Sequence, residues 1–337
     1  MKNTYDYQRE KAQLVKPSMA YDGSDYETWK VLAREKLREL LGTEKYICPG
    51  TPAMIEYDVQ RDGFREIRFL METEEGYFVP CHLWLPDGIQ KPPVMICLQG
   101  HSPGMHISMG RVKTPEEAPL IESGDRDFCV RALKEGFAAV ALEQRNFGEL
   151  QGEGRCLYSS LTAIMQGRTT VGERVHDVTV CIDTLEKQFA DLVDTSRICC
   201  MGNSGGGTAT AYSAALEDRI KLAVSSCAMC TYKDSIGGVP HCACNYVPYI
   251  AEFFDMDDIM AMAAPKYFIQ VSGLNDPENF PIDGAKEVFE KGSRIYEQLG
   301  IKARCALVIG NGGHRFYADD TWPIIHKMIV KNRMALK

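Results

Sequence analysis

The sequence contains no run of 18 consecutive apolar residues, so nothing in it reads as a membrane-spanning helix. It also lacks a surplus of positive charge. Against 38 Lys and Arg stand 46 Asp and Glu, a formal net charge of −8, and no basic stripe stands out to form a nucleic-acid surface. Lys327, Lys331, Arg333 and Lys337 gather near the C-terminus only as the solvated face of a last helix. The opening residues, Met1 to Tyr7, hold no apolar core of signal-peptide length, so a cytoplasmic protein is expected. Internal repeats and low-complexity linkers are absent too. Cysteine, by contrast, is plentiful at 13 residues. Cys97, Cys129, Cys181, Cys199, Cys200 and Cys305 sit in apolar or strand-like runs. An odd number without a secretion signal points to reduced, buried thiols acting as small hydrophobes.

What is present suits one sizeable α/β domain with an extension. Hydrophobic residues make up 45% and charged residues 25%, the balance of an ordinary globular chain. Trp29, Leu32, Leu37, Leu40 and Leu41 follow near-helical spacing that Gly42 ends. Glu66 to Met71 and Tyr77 to Leu85 read as antiparallel strands. From residue 94 the rhythm becomes buried strand, loop, helix, with strands at Val94 to Leu98, Phe137 to Leu142, Ile198 to Met201, Ile220 to Cys227, Tyr267 to Val271 and Cys305 to Ile309. Helical patterns lie near 125–135, 172–190, 205–217, 283–299 and 319–333. Such alternation predicts a mostly parallel, doubly wound sheet covered on both faces. The expected division is an N-terminal helical extension over 1–60 and a catalytic domain over 61–337, with 228–265 as an irregular cap loop.

The most informative stretch is Gly202-Asn203-Ser204-Gly205-Gly206, which fits Gly-x-Ser-x-Gly between an apolar strand and a small-residue helix. That context is what a strained nucleophile turn requires, and it marks Ser204 as the candidate nucleophile. The helix start behind it offers backbone N–H groups and a positive dipole end where an oxyanion would form. Partners should follow later strands, in the order Ser, acid, His. Asp276 follows the strand at Tyr267, with Glu278 and Asp283 nearby as alternative carboxylates; His314 follows the strand at Cys305. His314 would serve as base and then acid, titrating within roughly 6–7.5, and Asp276 would orient its ring. The second oxyanion donor is expected from the loop after the first central strand, at the backbone N–H of His101, paired with that of Gly205. The run Glu143 to Glu149 is expected to pin a loop by an Arg–Glu pair.

These motifs resemble the α/β-hydrolase superfamily, and within it the acetyl-xylan-esterase, cephalosporin-deacetylase and dienelactone-hydrolase-like bacterial esterases. The similar parts are Leu85-Pro86-Asp87-Gly88, Gln99-Gly100-His101, the Ser204 turn, Ser272 to Asp276, and Gly312-Gly313-His314. One departure is Gln99-Gly100, where many relatives have His-Gly. The resemblance implies a serine carboxylic-ester hydrolase removing short acyl groups from a carbohydrate or another small alcohol. It implies no cofactor, a small-molecule or saccharide ester as partner, and room for a homo-oligomer. A prolyl-oligopeptidase-type peptidase would usually bring a propeller, for which 337 residues leave little room. A non-catalytic binding protein would be free to lose part of the triad. Tyr232, His241 and Tyr246 are candidate substrate-binding residues, as aromatics with polar tips. Cys227, Cys230, His241, Cys242 and Cys244 could suggest zinc. Their Cys-x-Cys second half and strand-end position favour a packed, reduced cap loop with no metal.

Overall fold

A computed structural model describes residues 1–101 and 103–330, apart from the side chains of Arg155 and Val330. The nine strands form one sheet: β1 (Met54–Arg61), β2 (Phe64–Glu74), β3 (Tyr77–Pro86), β4 (Pro93–Leu98), β5 (Ala138–Leu142), β6 (Asp194–Asn203), β7 (Ile220–Ser226), β8 (Tyr267–Gly273) and β9 (Cys305–Gly310). Their order is β1-β2-β3-β5-β4-β6-β7-β8-β9. β1, β2, β3 and β5 pair antiparallel, whereas β5, β4, β6, β7, β8 and β9 are parallel throughout. From β4 the chain moves to one side to make β5, crosses back past β4 to make β6, and continues outward from there to β7. Loops leaving β4 and β6 therefore part at the crevice where doubly wound sheets bind ligands.

Period-2 alternation divides the sheet between two cores. Val94, Ile96, Leu98, Ile198 and Cys200 pack with Val178, Cys181 and Ile182 of the helix Thr170–Gln188. Met95, Cys97, Cys199 and Met201 face the opposite way. They join Phe128 from the helix Phe128–Lys134 and Trp322 and Ile325 from the helix Ala318–Val330. The end of the helix expected near 333 lies outside the described residues, as do Lys331, Arg333 and Lys337.

The N-terminal helix Tyr26–Leu41 is part of this body. Asp25 caps it by accepting from the Thr28 N–H, and Gly42 ends it at φ 72°. Its stripe of Tyr26, Trp29, Ala33, Leu37 and Leu41 is buried against the helices Gly205–Leu216 and Met256–Ala263. Complete burial of Leu37 and Leu41 contributes about 2 kcal/mol each. The Tyr26 hydroxyl donates to the carbonyls of Ala261 and Ala264.

Two expected boundaries shift. The division at residue 60 falls inside β1, an exposed edge strand with a bulge between Ile55 and Tyr57. The cap loop is shorter than 228–265, because Met256–Ala263 is a buried helix with an Asp255–Asp258 capping box. Among the described residues no helix is long and apolar enough to cross a membrane.

Candidate active site

Ser204 joins β6 to the helix Gly205–Leu216 at φ 58° and ψ −125°. A non-glycine residue held there costs on the order of 1–3 kcal/mol, which the surroundings must supply. The Ser204 N–H donates to the Ser226 carbonyl at 2.8 Å, and the Ser204 carbonyl accepts from Thr208 N–H at 2.9 Å. The glycines are required by proximity. A Cβ on Gly202 would lie 2.5 Å from the Gly206 carbonyl, and one on Gly206 would lie 2.1 Å from the Leu98 carbonyl oxygen. The helix start is thereby seated on β4, and Ser204 is left half-exposed above it. Its hydroxyl makes no hydrogen bond to another described residue.

Asp276 and His314 meet beside this turn. The loops after β8 and β9 are joined by hydrogen bonds from Leu274 N–H to Gly310 O and from Asn275 N–H to Gly312 O. His314 Nδ1–H donates to Asp276 Oδ2 at 2.6 Å, and Asp276 Oδ1 accepts from Asn279 Nδ2 at 3.0 Å. Asp276 is buried, whereas Glu278 and Asp283 are exposed and the His314 hydrogen bond goes to Asp276. The ring of Phe280 stacks on His314 at 5.8 Å. Ser226 braces the Ser204 turn: its hydroxyl donates to Asn203 Oδ1, and its carbonyl holds Ser204 N–H.

Cys227 belongs to this group, although in sequence it reads only with the cysteine segment 227–244, as a packed thiol or zinc ligand. Its backbone turns at φ 46°, its thiol donates to Arg315 O at 3.2 Å, and its sulfur lies within 4.8 Å of ligand atoms of Asp276 and His314. Burial pushes the His314 imidazole down, but hydrogen bonds with Asp276 and Cys227 outweigh it and raise the pKa to about 9. That lies above the roughly 6–7.5 expected for an ordinary imidazole base.

The loop after β4 crosses the other side of the helix start. A Cβ on Gly100 would lie 2.5 Å from Asn203 O and 2.7 Å from Ser204 Cβ, so only glycine lets the loop approach. Gln99, the departure noted above, is buried. Its Nε2 donates to Ser108 Oγ and to Arg126 O, while Arg126 donates to His314 O. This chain of bonds couples the two loops. His101 and Gly205 stand together here, with His101 Nδ1 lying 3.6 Å from a Cβ built on Gly205. The His101 imidazole continues away from Ser204 to Cys156 and Cys244.

Glu143 ties the same loop from below. It accepts from Met105 N–H and Glu149 N–H between Gly104 and Gly148, and burial raises its pKa to about 7. Arg145 does not pair with its neighbouring glutamates; it reaches Asp177 at 2.8 Å and Glu74 at 2.6 Å.

The three substrate-binding candidates separate. His241 Nε2 donates to Asn279 O and its ring packs on Phe280, one ring removed from His314. Tyr232 is buried and its hydroxyl is taken by Tyr212 OH, so it offers no polar tip to a ligand. Tyr246 lines, with Tyr232, Val15 and Tyr249, a groove of ≈ 310 Å³ whose walls include none of Ser204, Asp276 and His314. The cysteine segment also divides: Cys227 goes to the His314 side, Cys230 to Pro281 O, and Cys242 and Cys244 to His101.

No protein-family model matches the chain. The chain is similar to the Bacillus subtilis (strain 168) protein named "Putative hydrolase YtaP", 23% identical over 300 residues, covering 88% of this chain and 96% of that one. Among solved structures it is similar to a "putative acetyl xylan esterase" from Bacteroides fragilis, with a TM-score of 0.76 and 17% identity, covering 92% of this chain and 82% of the other. A glucuronoyl esterase from Solibacter usitatus superposes with a TM-score of 0.66 and 15% identity, covering 93% and 96%. The architecture these structures share with the present sheet and helices is the α/β-hydrolase fold.

Proposed function

We propose that this chain is a serine carboxylic-ester hydrolase that forms an acyl-enzyme on Ser204. The observation that carries the reading is the strained Ser204 turn at a helix start, with the 2.6 Å Asp276–His314 hydrogen bond alongside. Neutral His314 takes the serine proton as Ser204 Oγ attacks the ester carbonyl, and Asp276 holds the tautomer and offsets the imidazolium charge. The N–H groups of Gly205 and His101 receive the oxyanion. His314 then protonates the leaving alcohol, and water releases the acyl group by the same steps reversed.

Short acyl esters of a carbohydrate or other small alcohol are the substrates we favour, supported by the esterase names of the neighbouring folds. The test is a series of p-nitrophenyl esters of increasing acyl length, then acetylated sugars, with the wild type and Ser204→Ala. Loss of at least about 10³-fold in kcat/KM is expected for the variant. A fluorophosphonate should add its mass to Ser204 alone. A variant retaining a tenth of the activity would reject the assignment.

A further inference from the structure

We propose that His101, Cys156, Cys242 and Cys244 form a Cys3His zinc site at the rim of the Ser204 crevice. The residues come from three distant segments. His101 follows β4, Cys156 stands in the first turn of the helix Arg155–Met165, and Cys242 and Cys244 flank Ala243 in a short turn. One ligand atom from each lies within 4.8 Å of the other three. A tetrahedral zinc with ordinary Zn–S and Zn–N bonds spans S···N edges of about 3.6 Å and S···S edges of about 3.8 Å. The His101 Nε2 edges to Cys244 and Cys156 are 3.2 Å and 3.5 Å. The Cys156–Cys242 edge is 2.7 Å and would open by about 1 Å around an ion.

Charge supplies the second argument. Coordinated to a divalent ion, the three thiols deprotonate outright. Three thiolates, one neutral imidazole and Zn²⁺ sum to −1. Beside them lies Arg174, only 2% exposed. It donates to Arg145 O, its guanidinium sits 4.2 Å over Phe147, and the Phe147 ring meets the His101 ring edge-on at 4.9 Å. Among the described residues Arg174 makes no ion pair, and a buried cation without a counter-charge is costly. Phe147 also packs with Cys156, Cys242 and Cys244, which places Arg174 where the negative charge of a zinc–thiolate centre would be neutralised.

Such an ion would bind His101 through Nε2 and leave the proton on Nδ1, the atom facing Gly205. His101 is then a positioning residue, holding the loop after β4 against the helix start. The site stands whether or not Ser204 is the nucleophile.

The test is metal analysis of the full chain, expressed with zinc in the medium and purified without a metal resin. About one zinc per chain is expected in the wild type and in Cys48→Ser, falling below about 0.1 in Cys244→Ser, Cys242→Ser and His101→Gln. Because a variant can fail to fold, the wild type is also exchanged with cobalt(II). Thiolate-to-cobalt charge transfer and strong visible bands of tetrahedral cobalt are expected. Metal-free wild type without cobalt bands, or a Cys156–Cys242 disulfide in mapped peptides, overturns the proposal. Fluorophosphonate labelling of Ser204 in the same sample keeps this outcome separate from failure of the esterase reading.

Discussion

Two groups of side chains flank the start of the helix Gly205–Leu216, and they are built in opposite ways. On one side each polar residue stands just beyond a strand: Ser204 after β6, Cys227 after β7, Asp276 after β8, His314 after β9. On the other side His101 alone follows a strand, and its partners come from a helix turn and a loop. The first group is assembled by the parallel sheet itself, whose register puts all four strand ends at one edge. The second depends on three chain segments being held together by their own chemistry. Acid–base work should therefore fail with changes on the strand-end side, and loop placement with changes on the cysteine side.

The largest expected difference contrasts Asp276→Asn with Cys244→Ser. Asparagine favours the wrong His314 tautomer, and kcat should fall by about 10³–10⁴-fold without altering the His101 side. Cys244→Ser should cost about 10–100-fold, the range typical of lost positioning around a site. Steady-state kinetics on one ester decide it, and equal losses would erase the distinction.

Gly100→Ala tests the shared wall between the groups. Its Cβ meets backbone and a fixed Cβ at 2.5 and 2.7 Å, so the loop or the Ser204 turn must shift. A displacement near 1 Å should cost about 10²-fold in kcat. An unchanged rate would show that the loop has slack.

The pH profile gives a smaller, signed effect. His314 must be neutral to accept a proton, and Asp276 and Cys227 hold its pKa at about 9 against burial. Activity of the free enzyme should then decline as pH falls below about 9, by tenfold per unit well under that value. Cys227→Ala removes one raising influence and should move the limb to lower pH. A limb near the ordinary imidazole value of about 6.5 in the wild type would contradict this.

The smallest effect is expected from Tyr232→Phe. Its hydroxyl serves Tyr212, so stability should drop by about 1 kcal/mol while kcat/KM changes less than about threefold. A large rise in KM would restore it to the substrate-binding set.

Ser204, Asp276 and His314 were readable from the chain because each polar residue follows an apolar strand run and a glycine-containing turn. Eight of the nine strands announced themselves through apolar runs. β1 went unread although Ile55, Tyr57 and Val59 alternate with Glu56, Asp58 and Gln60, because an exposed edge strand carries no continuous apolar run. The cysteine group was hidden for a different reason. Weighing Cys227 through Cys244 as one local ligand set mixed residues that the fold separates, and left out His101 and Cys156. The Cys242-x-Cys244 pair and a histidine directly after β4 were the available signals, but their proximity is a tertiary fact. Cys227 was likewise hidden, since an apolar strand end predicts packing equally well.

The packing of Tyr26–Leu41 bears on how the chain is made. This helix is synthesised before its partners, since the helices that cover its apolar stripe begin and end about 160 to 220 residues downstream. At ordinary elongation rates of 5–20 residues per second, Trp29, Leu37 and Leu41 wait roughly 8–45 s for their partners. During that interval the nascent chain presents an amphipathic helix to whatever is near the ribosome, which makes Tyr26–Leu41 the natural place for a chaperone to hold.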